Sequence, residues 1–415
     1  MSQPATPRRF LNHRLLRRPV LLALLPLLPL LGCGGGSKPR REEVVPPFVF
    51  RSLNLRQQTP TGKPAWELTS PVARYALRRR IAPAISPTGV IYAAGRPLYR
   101  VQADSGTVVN DGEVILLEGN LRVERIGREP VLIQASRARW LPRQQLMLID
   151  RRPVAWDRLG RLRAERARFL FQEDRLELTG QPQLDRWNQR FDPFTALPTI
   201  PPAIVVQAAA VRWKPGSGEL QADGPLIGQR KAAMGDEAAA APQQLSAEGL
   251  SGNTLTQEFT LSGHVRFNDP ARGDSFAGRD VRLSPAANEG SSARPFEASR
   301  GSLQVSGASV QVEGTSHWVR IDGACRLVQP EGRLQADRCG WNWQSGAVEA
   351  EGGVVVERTA QNQISRGGIL SGRLGREGSV LLRAPGGRVV SQFQVPRRPA
   401  QAPPPLRPAP EPIVP

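Results

Sequence analysis

From residue 48 onward the chain alternates apolar and polar residues in short runs. In "NLRVE" (120–124), Leu121 and Val123 share one side, while Asn120, Arg122 and Glu124 share the other. "HVRFN" (264–268) repeats the arrangement with Val265 and Phe267. A period of two marks a half-buried β-strand. No stretch after residue 40 carries the 3.6-residue spacing of an amphipathic helix. "NDGE" (110–113) and "PEGR" (330–333) supply turns, because glycine reaches positive φ without steric cost. The pattern predicts an all-β body.

The strands are copies of one another. "LEGNLRVE" (117–124), "LTGQPQL" (178–184), "LSGHVRF" (261–267), "IDGACRL" (321–327) and "AEGGVVVE" (350–357) align on a small or acidic residue followed by glycine and an alternating tail. The glycine falls at 119, 180, 224, 263, 323 and 352, and a degenerate copy, "IDRRPVAW", places Arg151 there. A second element recurs ahead of the first: "ASRARW" (135–140), "AERARF" (164–169), "AAAVRW" (208–213) and "ADRCGW" (336–341). Two linked elements recurring in fixed order point to stacked supersecondary units.

Composition sets the boundaries. Strands are dense over 48–184, a Pro-rich connection covers 185–203, and a second β segment covers 204–395. Within that segment, 229–244 and 286–295 are expected to be mobile loops. Residues 396–415 are too Pro-rich to pair in a sheet, so an extended disordered tail is expected.

The first 32 residues are of another kind. Five arginines precede the short apolar run "PVLLALLPLLPLL" (19–31), and "LLGC" closes it at Cys33. The run is shorter than the roughly 20 residues of a comfortable membrane span, and its order is that of an export signal. Leu30-Leu31-Gly32-Cys33 resembles a bacterial lipobox, which implies a signal peptide over 1–32 and a lipid anchor on Cys33. Residues 33–47, rich in Gly, charge and Pro, read as a flexible tether.

Charge and residue inventory narrow the function classes. Lys+Arg outnumber Asp+Glu by 56 to 37, a net charge of +19, compatible with anionic partners or with a general preference for Arg. Three Cys and three His leave little material for a metal site. GxSxG, P-loop, HExxH and GxGxxG motifs are absent, so no catalytic residue, cofactor or metal ligand is assigned and no enzymatic activity is expected. An export signal without a nucleic-acid-binding motif argues against nucleic acid as a partner. His264 and His317 stand alone and read as ordinary strand histidines.

The paired elements resemble the repeating unit of OstA-like domains, found in the periplasmic lipopolysaccharide transport proteins LptA and LptC and in the periplasmic part of LptD. "FVFRSLNLRQQTPTGKPAWELTSPVARYAL" (48–77) followed by "IYAAGRPLYRVQADSGTVVNDGEVILLEGNLRVE" (91–124) is similar to LptC. The resemblance runs from Phe48 to Val395 and is strongest before Leu184. It implies an open, V-shaped, repeat-built β-jellyroll of antiparallel strands with a greasy interior. It also implies a periplasmic protein that passes lipopolysaccharide or a related lipid towards the outer membrane. Its partners would be the export ABC transporter and other OstA-like proteins, met through edge strands. The chain departs from LptC in its length and in carrying a lipobox instead of a membrane helix. Two rival readings are a non-transporting envelope scaffold and a polysaccharide-binding lipoprotein; the latter would need exposed aromatics on a flat face.

For the lipid groove the alternation nominates Leu121, Val123, Val265, Phe267, Val354 and Val356. Trp66, Trp140, Phe169, Trp213, Trp341 and Trp343 either pack the core or line that groove. Arg78–Arg80 and the alternating arginines between Arg137 and Arg168 either brush anionic headgroups or form a solvated basic face. Cys325 and Cys339 lie symmetrically about Gly332, so an antiparallel hairpin would set them opposite each other. That suits a disulfide in an oxidising compartment, and equally two small buried apolar residues.

Overall fold

The computed structural model describes residues 48–230, 241–373 and 378–393. The expected signal peptide, Cys33, the tether and the 396–415 tail lie outside these residues, as does most of the 229–244 loop. The described residues form one antiparallel sheet of 32 strands, with four short 3-10 turns and no α-helix. No helix among them is long and apolar enough to cross a membrane.

The sheet is two rows of strands joined by bent passes of the chain. In Val114–Arg125, residues 114–118 pair with Ser105–Val109, whereas 122–125 pair with Arg96–Gln102. One pass therefore begins in a first row, turns a corner at Gly119–Asn120, and continues in a second row. Leu132–Leu141 returns the other way, with its corner between Ala135 and Arg137. Register shifts at Asp223/Leu226, Leu261/His264, Asp322/Cys325 and Glu351/Val354 repeat the device in the later passes. Elsewhere the corner breaks the strand in two, as between Arg175–Thr179 and Gln183–Arg186.

The repeated glycine is thus the corner of the pass. Gly119, Gly180, Gly263, Gly323 and Gly352 all have φ between 75° and 80°. Gly224 makes its corner with a cis bond to Pro225, and at the degenerate copy the positive φ falls on Arg152. The second repeated element is the corner of the return pass, where Asp337 and Glu165 lie over Gly352 and Gly180. The alanine, arginine and aromatic that follow alternate inward and outward, which buries Ala138 with Trp140, Ala167 with Phe169, and Val211 with Trp213.

The inner faces of the rows meet. Trp66 of the second row contacts Trp140 of the first, edge to face at 5.3 Å, and Tyr99 meets Phe169 across the rows at 4.9 Å. Buried side chains from Trp66 to Val281 form one cluster, and a second runs from Phe296 to Leu370. The Pro-rich connection does not interrupt the sheet: Arg175–Thr179 pairs with Ala210–Trp213, and Gln183–Arg186 with Ile204–Gln207. Part of the connection folds back, stacking Trp187 on Trp156 at 5.9 Å with Phe191 edge-on to both. Trp187 Nε1 donates to the Ile200 carbonyl at 2.8 Å. The expectation of a mobile loop over 286–295 is corrected, because Glu289–Ser292 is a strand held between neighbours on both sides.

Candidate functional site: the interior between the rows

The interior changes character along the chain. In its first part large aromatics fill it: Trp66, Tyr99, Trp140, Phe169 and Trp213 are all buried. Its mouth is latched by polar groups from both rows. The Tyr99 hydroxyl donates to Asp174, whose other oxygen accepts the Gly216 N–H at 2.8 Å and lies 3.8 Å from Arg125 Nε. Burial, with the Asp174 charge beside it, pushes the Tyr99 phenol well above its ordinary pKa, so it remains a donor.

In the later part the residues two beyond the corner stay sealed, while those four beyond it are half-buried in two passes and sealed in a third, where Leu327 is 2% exposed. Val265 and Val354, two residues beyond their corners, are 2% and 0% exposed. Phe267 and Val356, two residues further out, are only half-buried. The same level in the first part is occupied by Val123, which is fully buried. Trp341 takes the place of Trp140 and is half-buried, and Val312, Val319 and Phe276 are half-buried against the same core. The side chains named here are less completely covered than their equivalents in the first part, which leaves an apolar lining at the mouth.

The six nominated residues therefore fall into three groups. Leu121 and Val123 are sealed core, Val265 and Val354 form the floor, and Phe267 and Val356 lie at the rim. Trp66, Trp140, Phe169 and Trp213 pack in the core, while Trp343 sits in a turn against His317 at 5.4 Å. His264 Nδ1 lies 2.5 Å from exposed Glu248, whose carboxyl this hydrogen bond holds below its usual range. Arg78–Arg80 are exposed. Arg137 and Arg168 pair with Glu118 and Glu177, whereas Arg161 and Arg163 converge on buried Asp185.

Cys325 and Cys339 form a disulfide with Cα atoms 6.0 Å apart. They are not opposite on the ladder: the hairpin closes at Gln329–Gly332, so Cys325 faces Ala336, and beyond the corner Cys339 faces Ile321. The bridge runs from the second row to the first just inside the bend, tying the rows together near their junction.

Sequence reasoning missed the Trp156–Trp187–Phe191 clasp and the latch around Asp174, because both join residues far apart in the chain. No group of three metal-ligating side chains occurs among the described residues.

Two bent rows enclosing an apolar interior leave the question of which family builds them. Residues 34–183 match the family model of LptC-related lipopolysaccharide-assembly proteins. A comparison with curated proteins finds no match. The matched part holds most of the aromatic-filled interior, Trp213 and the Gly216 side of the latch lying beyond it in passes of the same sheet. The match associates this segment with lipopolysaccharide assembly.

Proposed function

We propose that this chain is a lipid-anchored periplasmic component of lipopolysaccharide export, fixed to a membrane through Cys33 and working without catalysis. The space between the rows beyond residue 245 takes the acyl chains of lipopolysaccharide or a related lipid and passes it towards the outer membrane. The observation that carries this reading is the half-buried apolar rim at Phe267, Trp341 and Val356 above the sealed floor of Val265 and Val354. Each buried methylene contributes about 0.8 kcal/mol, so a continuous apolar wall holds an acyl chain without a specific polar contact. The LptC-related segment is the end that meets the export ABC transporter. Its first strand, Phe48–Phe50, exposes all three residues at the sheet edge, and the last, Val390–Phe393, does so at the far end. Such edges accept strands from other OstA-like proteins.

The test is photo-crosslinking in cells with probes at Phe267 and Val356, compared with Leu121 and Val123. Adducts to lipopolysaccharide from the first pair that disappear when the transporter's ATPase is inactivated are expected. Adducts to proteins alone, and only from the edge strands, would replace this reading with that of a scaffold.

A further inference from the structure

A cavity of about 70 Å³ lies at the mouth, between the ends of the two rows. Val131 and Leu159 line it at second-row strand ends, and Trp213 and Leu255 at first-row strand ends. It stands where the aromatic-filled interior gives way to Gln243–Asn253 and Glu258–Asp269, the passes that begin the open-rimmed part. At roughly 10–15 Å³ for each water-sized group, it has room for about five non-hydrogen atoms.

One group on its wall lacks a partner. Trp213 is 3% exposed, and its indole Nε1 is buried with no hydrogen-bond acceptor among the described residues. Indole nitrogen only donates, and a buried donor left unpaired keeps the full cost of its lost hydration until an acceptor reaches it. Other polar groups on the wall are already engaged. Thr254 Oγ1 donates to the Gly218 carbonyl at 3.3 Å, and one Asp157 oxygen accepts the Leu159 and Gly160 N–H groups at 2.8 and 2.6 Å. Arg158 Nε lies 3.4 Å from Glu129. With Arg190, the wall sets two arginines against two acids, so an anion meets no excess of positive charge. The cavity therefore suits a neutral group that accepts without donating and is joined to apolar carbon, which Val131, Leu159 and Leu255 can cover.

An ester carbonyl has this chemistry. It also has the right place: in a lipid with its acyl chains between the rows and its headgroup outside, the linkages lie level with the mouth. We infer that this cavity receives an acyl-ester carbonyl of the carried lipid, with the Trp213 indole N–H as its donor. The inference rests on the reading that acyl chains occupy the interior beyond residue 245.

The test is calorimetric titration of the mature chain with diheptanoyl phosphatidylcholine and with its diheptyl ether counterpart, which shares the chain length and headgroup but has no carbonyl. Both are kept below their micelle-forming concentrations. The ester lipid is expected to bind about fivefold more tightly, the value of one hydrogen bond. Trp213→Phe, which keeps a ring in the core, should abolish that difference by weakening the ester lipid alone. The Trp213 Nε1–H resonance, identified by its loss in this variant, should move downfield with the ester lipid and not with the ether. Equal binding of the two lipids by the parent, equal losses for both in the variant, or a resonance that ignores the ester would mean that the indole serves a buried water only. Any of these would overturn the inference and leave the lipid reading standing. Saturable binding of neither lipid would overturn both.

Discussion

Replacing Gly119 by alanine tests the corner directly. Gly119 has φ +75°, and an added Cβ would lie 2.5 Å from Asp104 Oδ2 and 2.9 Å from Asp104 Cβ. An L-residue in the left-handed region costs roughly 1–2 kcal/mol. Relieving the clash displaces Asp104, which holds the Asn120 side-chain amide at 2.8 Å, so a hydrogen bond worth about 1 kcal/mol is also lost. The expected cost is about 3 kcal/mol, which corresponds to roughly a hundredfold in a local opening equilibrium. Native-state hydrogen exchange reads this at the Asp104 amide, which donates to the Gly119 carbonyl at 3.0 Å. Gly301 is the control, having φ +54° with nothing within 4 Å of an added Cβ. Gly301→Ala should accelerate its own amide only about tenfold, the conformational part alone. Equal acceleration in the two variants would refute the claim that the neighbouring acidic residue makes the corner intolerant of a side chain.

Other consequences are open to measurement. Reducing the Cys325–Cys339 bridge, whose partners are 14 residues apart, should destabilise the later passes by about 3 kcal/mol, read as a denaturation midpoint with and without reductant. An unchanged midpoint would mean that the bridge does not constrain the rows. Trp187→Ala should cost about 3–5 kcal/mol and expose 187–203 to proteolysis, because it removes the centre of the clasp. Burial raises the Asp157 carboxyl above its ordinary pKa, although the Leu159 and Gly160 amides and Arg186 oppose the shift. Between the unfolded and folded pKa values the folded state binds more protons, so this group loses stability as pH rises through that window. Asp157→Asn should flatten that part of the stability profile. Parallel curves for variant and parent from pH 4 to 8 would contradict the assignment.

Much of the fold was legible because alternation and repetition are local. Leu121 and Val123 declare their inward side within five residues, and the two linked elements recur often enough to identify each pass. What the glycine does was not legible. "EGN" and "DGA" read as interruptions in a strand, and only the pairings show each pass leaving one row for the other there. The hairpin turns at Pro330–Glu331 and not about Gly332, so symmetry about Gly332 led to the right pair for the wrong geometric reason. Which apolar positions are open was also hidden. Val123 and Phe267 hold equivalent places in the repeat, yet one is sealed and the other half-buried, a difference that alternation within the strand does not carry.

That contrast bears on why the family match ends near residue 183 while the sheet continues. Each pass contacts its neighbours on either side, so added passes need only keep the strand spacing and the corner, and they leave earlier ones undisturbed. The corner chemistry is retained: Glu248 lies over Gly263, and Asp337 over Gly352, as Asp104 lies over Gly119. The inward residues beyond the corner keep their kind, Trp341 standing where Trp140 does and Val356 where Val123 does, but are less completely covered. Stability of the junction and openness of the mouth are therefore set by different positions in the same repeat. A chain built this way can lengthen its interior and widen it without altering the backbone that carries both rows.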